Sequence, residues 1–324
     1  MTRVTSKFGY ILLISCVLWT SMITVLHIWR NQEHGNDSMF RVGFVPITCH
    51  LLCPVAAREL AGTKMAFKPV KFSAWPEMCE ALRSGELDFA FILAPLAILL
   101  KEQGIDLKLV LLGHRNGTGI VVKKDGGIRS IKELKGKKIA IPIRYSNQHL
   151  TLLTLLNEAG LAEGDIRSYE MPPPDMPSAL AIGAIDAYIV GEPYVAQSEL
   201  ADTGKVLYLM KDVRPGFISS VLVVRQEVFE TRREDVKKLI QAFYEASKWI
   251  DKHRAEAASI GAKAYGLPES LITHVLMDSI DRVTYDNILP VASELDAMQN
   301  KMFAYGLLQK TINMQELVDV SWKD

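Results

Sequence analysis

The chain has 324 residues, with 37 basic against 37 acidic side chains and an apolar fraction of 49%. That balance excludes the polycationic footprint of a nucleic-acid binder, and no long run of like charge marks an electrostatic tail. Past an apolar amino-terminal stretch roughly 290 residues remain, enough for two lobes with separate cores.

Arg3 and Lys7 precede a run without formal charge from Phe8 to Trp29, about the twenty residues a helix needs to cross a bilayer. Cleaved secretory signals have a shorter apolar region ending in a small-x-small site, and Leu26-His27-Ile28-Trp29 offers none. The expectation is an uncleaved anchor with a cytoplasmic amino end and the rest of the chain outside the membrane. Leu13-Ile14-Ser15-Cys16 resembles a lipoprotein box, so lipidation of Cys16 is the alternative, although residues 17–29 stay apolar where a lipoprotein has a soluble tether.

Cys49, Cys53 and Cys79 lie beyond this run, and an odd set makes a poor disulfide framework. Cys49-His50-Leu51-Leu52-Cys53 offers thiolates and an imidazole, but no second ligand pair at a zinc-like spacing. Small buried packing residues are the expected role, with no metal and no cofactor.

Phe40–Val45 reads as a strand, Pro46–His50 as a loop and Leu51–Leu60 as a helix. Strand Lys68–Phe72, loop Ser73–Pro76, helix Glu77–Ser84, strand Phe89–Leu93, helix Leu96–Glu102 and strand Leu107–Leu112 follow. This alternation predicts a parallel sheet covered on both faces. Gly119–Lys124 is a crossing strand, and Ser130–Leu134 a short helix with Ser130 as cap and Glu133 three residues on. A second series runs through strand Lys138–Ile141, loop Arg144–His149 and helix Leu150–Ala159, stopped by Gly160.

Residues 170–197 then couple a proline-rich turn to the short helix Pro177–Gly183 and the strand Ala187–Val190, which enters Gly-Glu-Pro-Tyr. A carboxylate beyond the carboxyl end of a strand stands where open α/β sheets bind ligands. Met78–Pro95 has a related layout, from helix through Gly85-Glu86-Leu87-Asp88 to an apolar strand and Ala94-Pro95. The two copies suggest two similar lobes facing one cleft. Ser219–Val224 crosses back, and the remainder is helical, through Gln241–His253, Glu269–Met277 and Ser293–Tyr305. Two crossing strands are what a hinge requires. The expected organisation is α/β: residues 1–39 as signal or anchor and linker, 40–119 with 222–324 as lobe 1, and 120–221 as lobe 2.

Four stretches carry a family resemblance: Val42-Gly43-Phe44-Val45-Pro46, Gly85-Glu86-Leu87-Asp88-Phe89-Ala90, the run Ile131–Ala140 (IKELKGKKIA), and Gly191-Glu192-Pro193-Tyr194. Over about residues 40–310 the chain resembles periplasmic solute-binding proteins of ABC importers, in the branch with nitrate-, bicarbonate-, sulfonate- and taurine-binding members. It also resembles the domain shared with thiamine-pyrimidine synthesis proteins. The resemblance implies a type II, two-lobed binding fold, acting as a monomer that passes a small solute to a permease and ATPase. Fold does not fix the ligand, which must be argued from the site.

Loops after strands should supply that site. The first gives Pro46, Thr48, Cys49 and His50 at a helix start, where N–H groups and the positive helix end favour an anion. His50 can equally be a satisfied structural histidine. Trp75 offers a flat wall or core packing, and Ala94 and Pro95 permit close backbone approach. His114 and Arg115 follow the fourth strand, and a guanidinium pairs well with oxyanions, though Arg115 can equally salt-bridge at the hinge. The second lobe offers Arg144, Tyr145, Ser146, Asn147, Gln148 and His149. Glu192 would repel an anion unless bonded to protein donors, or would accept from an amine or pyrimidine directly. The favoured ligand is a small oxyanion or sulfonate, and the alternative is a heterocycle between Trp75 and Glu192. A membrane-tethered sensor and an enzyme resembling the pyrimidine synthases are the competing functions. The dense cysteine run of those synthases is absent, and no nucleophile triad, P-loop or Rossmann fingerprint occurs.

Overall fold

The computed structural model describes residues 4–36, 39–277 and 282–323, with backbone alone for 4–8 and 26–36. The chain divides into two compact units, Met1–Phe40 and Arg41–Asp324. In the first, one helix runs over Val4–Asn36. Tyr10, Leu13, Leu18, Trp19 and Val25 are exposed along it, and Cys16 is a free, exposed thiol. Among the described residues no helix is long and apolar enough to cross a membrane. The expected anchor, residues 8–29, extends at both ends past the described side chains, which also exclude Lys7 and Leu26-His27-Ile28-Trp29; Arg3 lies outside the described residues altogether.

The second unit is mixed α/β. Its strands in chain order are β1 (Arg41–Phe44), β2 (Lys68–Lys71), β3 (Phe89–Leu93), β4 (Leu107–Leu112), β5 (Arg115–Asn116) and β6 (Thr118–Lys123). They continue with β7 (Lys138–Ile141), β8 (Arg167–Glu170), β9 (Ala187–Gly191), β10 (Gly204–Leu209), β11 (Ser220–Arg225) and β12 (Val283–Thr284). One five-stranded sheet has the order β2-β1-β3-β11-β4, the other β10-β6-β9-β7-β8, and β12 pairs with β5.

The first sheet departs from the all-parallel expectation. β11 returns from more than a hundred residues downstream and inserts antiparallel between β3 and β4, pairing Val221 with Ile92 and with Leu112. β3 and β4 have the same direction but never touch as neighbours. The central strands are buried throughout, Phe89–Leu93 at every position, as a sheet covered on both faces demands. β2 carries Pro69 between two lysines on the exposed edge, where a missing N–H and charged flanks discourage further pairing. In the second sheet β6 is antiparallel to both its neighbours, while β9, β7 and β8 run parallel. Ile120, Val122, Ile139, Ile141 and Ile189 pack with Leu152 and Leu156 of the helix Asn147–Glu158.

Several boundaries move in ways that matter for the site. Thr48–His50 is a turn of 3₁₀ helix leading into the helix Leu52–Glu59. Trp75 opens the helix Trp75–Arg83 rather than preceding it, with Pro76 in its first turn. Asn147, Gln148 and His149 are the first helical turn, not loop, because the Ser146 hydroxyl accepts from the His149 N–H at 3.1 Å and caps the helix there. Ser130 makes no side-chain cap; the Glu133 carboxylate takes the Arg129 N–H instead.

Candidate functional site

The stretch 46–50 leaves β1 and is held by its carbonyls. Tyr194 donates to the Pro46 carbonyl at 3.0 Å, Tyr265 to that of Ile47 at 3.0 Å and Tyr285 to that of Thr48 at 2.8 Å. The Thr48 N–H donates to the Glu192 carbonyl at 2.8 Å. The end of β1 is thereby tied to the end of β9 in the other sheet. Gly113 lets the end of β4 approach as closely: a Cβ there would stand 2.1 Å from the Cys49 carbonyl oxygen, so any larger residue displaces the loop.

Four side chains around this stretch are wholly buried yet hold a polar atom with no partner in the protein: His50 Nε2, Trp75 Nε1, His114 Nδ1 and Gln148 Oε1. Burying such an atom without a hydrogen bond costs folding free energy, so a group of them asks for a ligand. They are linked partly directly and partly through the neighbours Thr48, Cys49 and Ser219. The His50 ring lies edge-on to Trp75, centroids 6.5 Å apart, and against Phe91 at 5.5 Å. Thr48 Oγ1 is 3.0 Å from His114 Nε2, and His114 meets Tyr285 edge-on at 5.4 Å. Gln148 Nε2 donates to the Ser219 hydroxyl at 2.8 Å, and Cys49 Sγ lies 4.0 Å from that same oxygen.

Protonation follows from this geometry. The Val45 N–H donates to His50 Nδ1 at 2.8 Å, so Nδ1 keeps its lone pair and Nε2 carries the hydrogen. His50 is therefore a neutral ring with one unused donor. Burial, with the charge of His114 adding to it, pushes its pKa down to about 3, and burial does the same for His114. The Trp75 indole is a second unused donor. The Gln148 amide can present either end: turned over, its oxygen accepts from the Ser219 hydroxyl and its nitrogen becomes a third donor. Burial raises the Cys49 thiol to about 12, which keeps it a neutral packing group.

The remaining expected residues are placed as follows. Ala94 and Pro95 are buried at the start of the helix Ala94–Glu102, and the Ala94 N–H bonds to the Ser219 carbonyl at 3.1 Å. Arg115 is spent on other partners: Nη1 and Nη2 grip the Glu294 carboxylate at 2.9 and 2.8 Å, while the Asn287 and Gly216 carbonyls take further N–H groups. Asn147 donates to the Ile218 carbonyl at 2.6 Å. His149 is fixed by the Arg144 carbonyl at 2.9 Å and by Glu163 at 3.1 Å. Arg144 is exposed and Tyr145 half-buried. Both Glu192 oxygens are taken, one by Arg282 at 2.8 Å and one by the Ala196 N–H at 3.0 Å. Burial raises the Glu192 pKa and Arg282 opposes that rise, while Arg282 also binds Glu199.

Ser219, Thr118, Arg282 and the tyrosines 265 and 285 were not among the expected residues. Ser219 had a readable signal, a polar pair opening an apolar strand; the phenols, far away in sequence, had none. Among the described residues no group of three or more His, Cys, Asp or Glu side chains is arranged to hold a metal ion, and Cys49, Cys53 and Cys79 are free thiols.

Both the sequence and the fold have relatives. A protein of Bacillus subtilis, provisionally named as aliphatic sulfonates-binding, is 28% identical over 270 residues, 81% of this chain and 78% of the relative. The ligand-binding component of an ABC-type import system from Staphylococcus aureus, solved with zinc bound, superposes with a TM-score of 0.81 at 25% identity, covering 88% of this chain and 98% of that one. The periplasmic nitrate-binding protein NrtA from Synechocystis gives 0.81 at 18% identity, over 89% of this chain and 88% of its own, a likeness of fold alone. The profile of the NMT1-like family matches residues 33–264, well over half of the chain, so this protein belongs to the NMT1-like family.

Proposed function

We propose that the protein is an extracytoplasmic solute-binding protein that captures a small anion, nitrate or a sulfonate, and delivers it to an ABC-type permease and its ATPase. It acts by binding and not as an enzyme. The observation that carries this reading is the group of four buried, unpartnered polar atoms on His50, Trp75, His114 and Gln148. Two of them are unused N–H donors, and the Thr48 that contacts His114 is where the ends of β1 and β9 are tied together. The relative named for aliphatic sulfonate binding supports the anion, and the likeness to a ligand-binding component of an ABC-type import system supports the importer.

In this reading the two sheets belong to the two lobes of a type II binding fold, residues 40–119 with 222–324 and residues 120–221, and β6 and β11 are the hinge strands. The bond Thr48–Glu192 then belongs to the lobes closed on their solute, the form a permease reads. Residues 8–29 hold the protein at the membrane, as the exposed apolar side chains from Tyr10 to Val25 suggest. The heterocycle alternative is disfavoured by Glu192, whose two oxygens are already engaged by Arg282 and the Ala196 N–H.

The test is a thermal-shift screen of the full chain across nitrate, nitrite, bicarbonate, alkanesulfonates, taurine and thiamine pyrimidines. A ligand at a hundred times its dissociation constant stabilises the fold by about 2.7 kcal/mol. The reading predicts a shift with one of the anions. A shift with pyrimidines alone, or with nothing, contradicts it.

A further inference from the structure

Resting on the small-anion reading above, we infer that this site takes a singly charged anion and rejects a doubly charged one of the same shape, because its donors are neutral and every buried or half-buried arginine beside it is already paired. Charge is the one property of the ligand that the surrounding groups determine strictly. The cost of taking an ion out of water rises with the square of its charge, so a dianion needs either a cation or far more donors than a monoanion.

Arg144, four residues before Gln148, is exposed to solvent, where water and salt screen its charge; the buried and half-buried cations can be accounted for one by one. Arg115, next in sequence to His114, spends its guanidinium on Glu294, Asn287 and Gly216. Arg282 sits between Glu192 and Glu199. Arg254, whose Nη1 reaches the Leu276 carbonyl, holds Asp251 at 2.8 Å. His50 cannot become an imidazolium without losing the bond its Nδ1 accepts from the Val45 N–H. His114 is equally buried, between the Thr48 hydroxyl and the Tyr285 ring.

The other titratable groups packed here add no positive charge. Cys49, Cys53, Tyr194, Tyr265 and Tyr285 are all buried, which favours their neutral forms. Glu192, Glu199 and Arg282 form a cluster with two carboxylates to one guanidinium, Glu199 being part-exposed and 3.9 Å from His274. A second negative charge on the ligand would face that cluster across neutral donors. One negative charge shared over several oxygens suits the His50 and Trp75 N–H groups and the Gln148 amide.

Methanesulfonate and sulfate test this directly, because they differ by a methyl group in place of one charged oxygen and sulfate is no larger. The full chain is titrated with each by calorimetry at pH 8 and constant ionic strength, with nitrate as a second monoanion. The expected result is binding of at least one monoanion and affinity for sulfate more than tenfold weaker. Sulfate binding as tightly as the better monoanion, or within tenfold of it, overturns the charge rule and leaves the anion reading standing. No heat from any of the three anions overturns the anion reading, and the charge rule with it.

Discussion

The stretches 46–50 and 144–149 are chemically alike, each a polar run with a histidine leading into a helix, yet the structure uses them differently. In the first, protein partners take the backbone and the Thr48 hydroxyl, and His50 keeps one ring nitrogen without a partner. In the second, Ser146 spends its hydroxyl on the helix cap, and His149 has both ring nitrogens engaged by Arg144 and Glu163. Only Gln148 of that stretch keeps a fully buried polar atom without a partner. Polar residues at a helix start are thus divided between building the start and facing a ligand, and the division follows from which hydrogen bonds remain unmade.

The largest effect that tests this contrast is acidification. His50 and His114 have folded pKa values lowered to about 3 from an ordinary 6.5. Between those values the unfolded chain binds the extra protons, so their contribution to stability is full above 6.5 and is lost as pH falls toward 3. Each histidine removes up to about 1.4 kcal/mol per pH unit across that window. Glu192 works the other way: with its pKa raised, its contribution is full below its ordinary value and declines as pH rises through the raised one. Denaturant melts from pH 7.5 to 5 should show falling stability, and the fall should shrink in His50→Gln.

Next in size is Arg282→Leu. It leaves Glu192 buried without its cation, and breaking a buried pair in this way costs about 3–5 kcal/mol; urea unfolding reads it directly. Because Glu192 also ties down Thr48, this variant should weaken ligand binding as well. Gln148→Ala removes one site contact and the bond to Ser219, and should weaken binding about tenfold, equivalent to ~1.4 kcal/mol. The smallest effect belongs to Ser146→Ala, a lost cap of about 1 kcal/mol in stability with affinity unchanged. Should Ser146→Ala weaken binding as much as Gln148→Ala, the two stretches do not divide their roles as described.

Much of the fold was legible because burial writes itself into apolar runs. Phe89–Leu93 and Leu107–Leu112 have the expected bounds. β8 (RSYE) escaped because every side chain on that edge strand is exposed, which leaves no apolar period to read. The insertion of β11 between β3 and β4 was hidden for another reason: pairing partners far apart in sequence leave no local signal. At the site, the His50 loop, Trp75 and Gln148 could be named from position after a strand or at a helix start. What could not be read was which of them would be satisfied elsewhere. Arg115 is the clearest case, since its partner Glu294 lies on a helix nearly 180 residues away.

In the proposed site the unpartnered atoms, and not the polar stretches as such, hold the anion. The most direct measurement is a titration of the screened anion into the wild-type chain, His50→Ala and His149→Ala. Saturable binding is expected for wild type and His149→Ala, with affinity about 100-fold lower in His50→Ala, equivalent to ~2.7 kcal/mol. Equal affinity in all three, or a loss confined to His149→Ala, contradicts it.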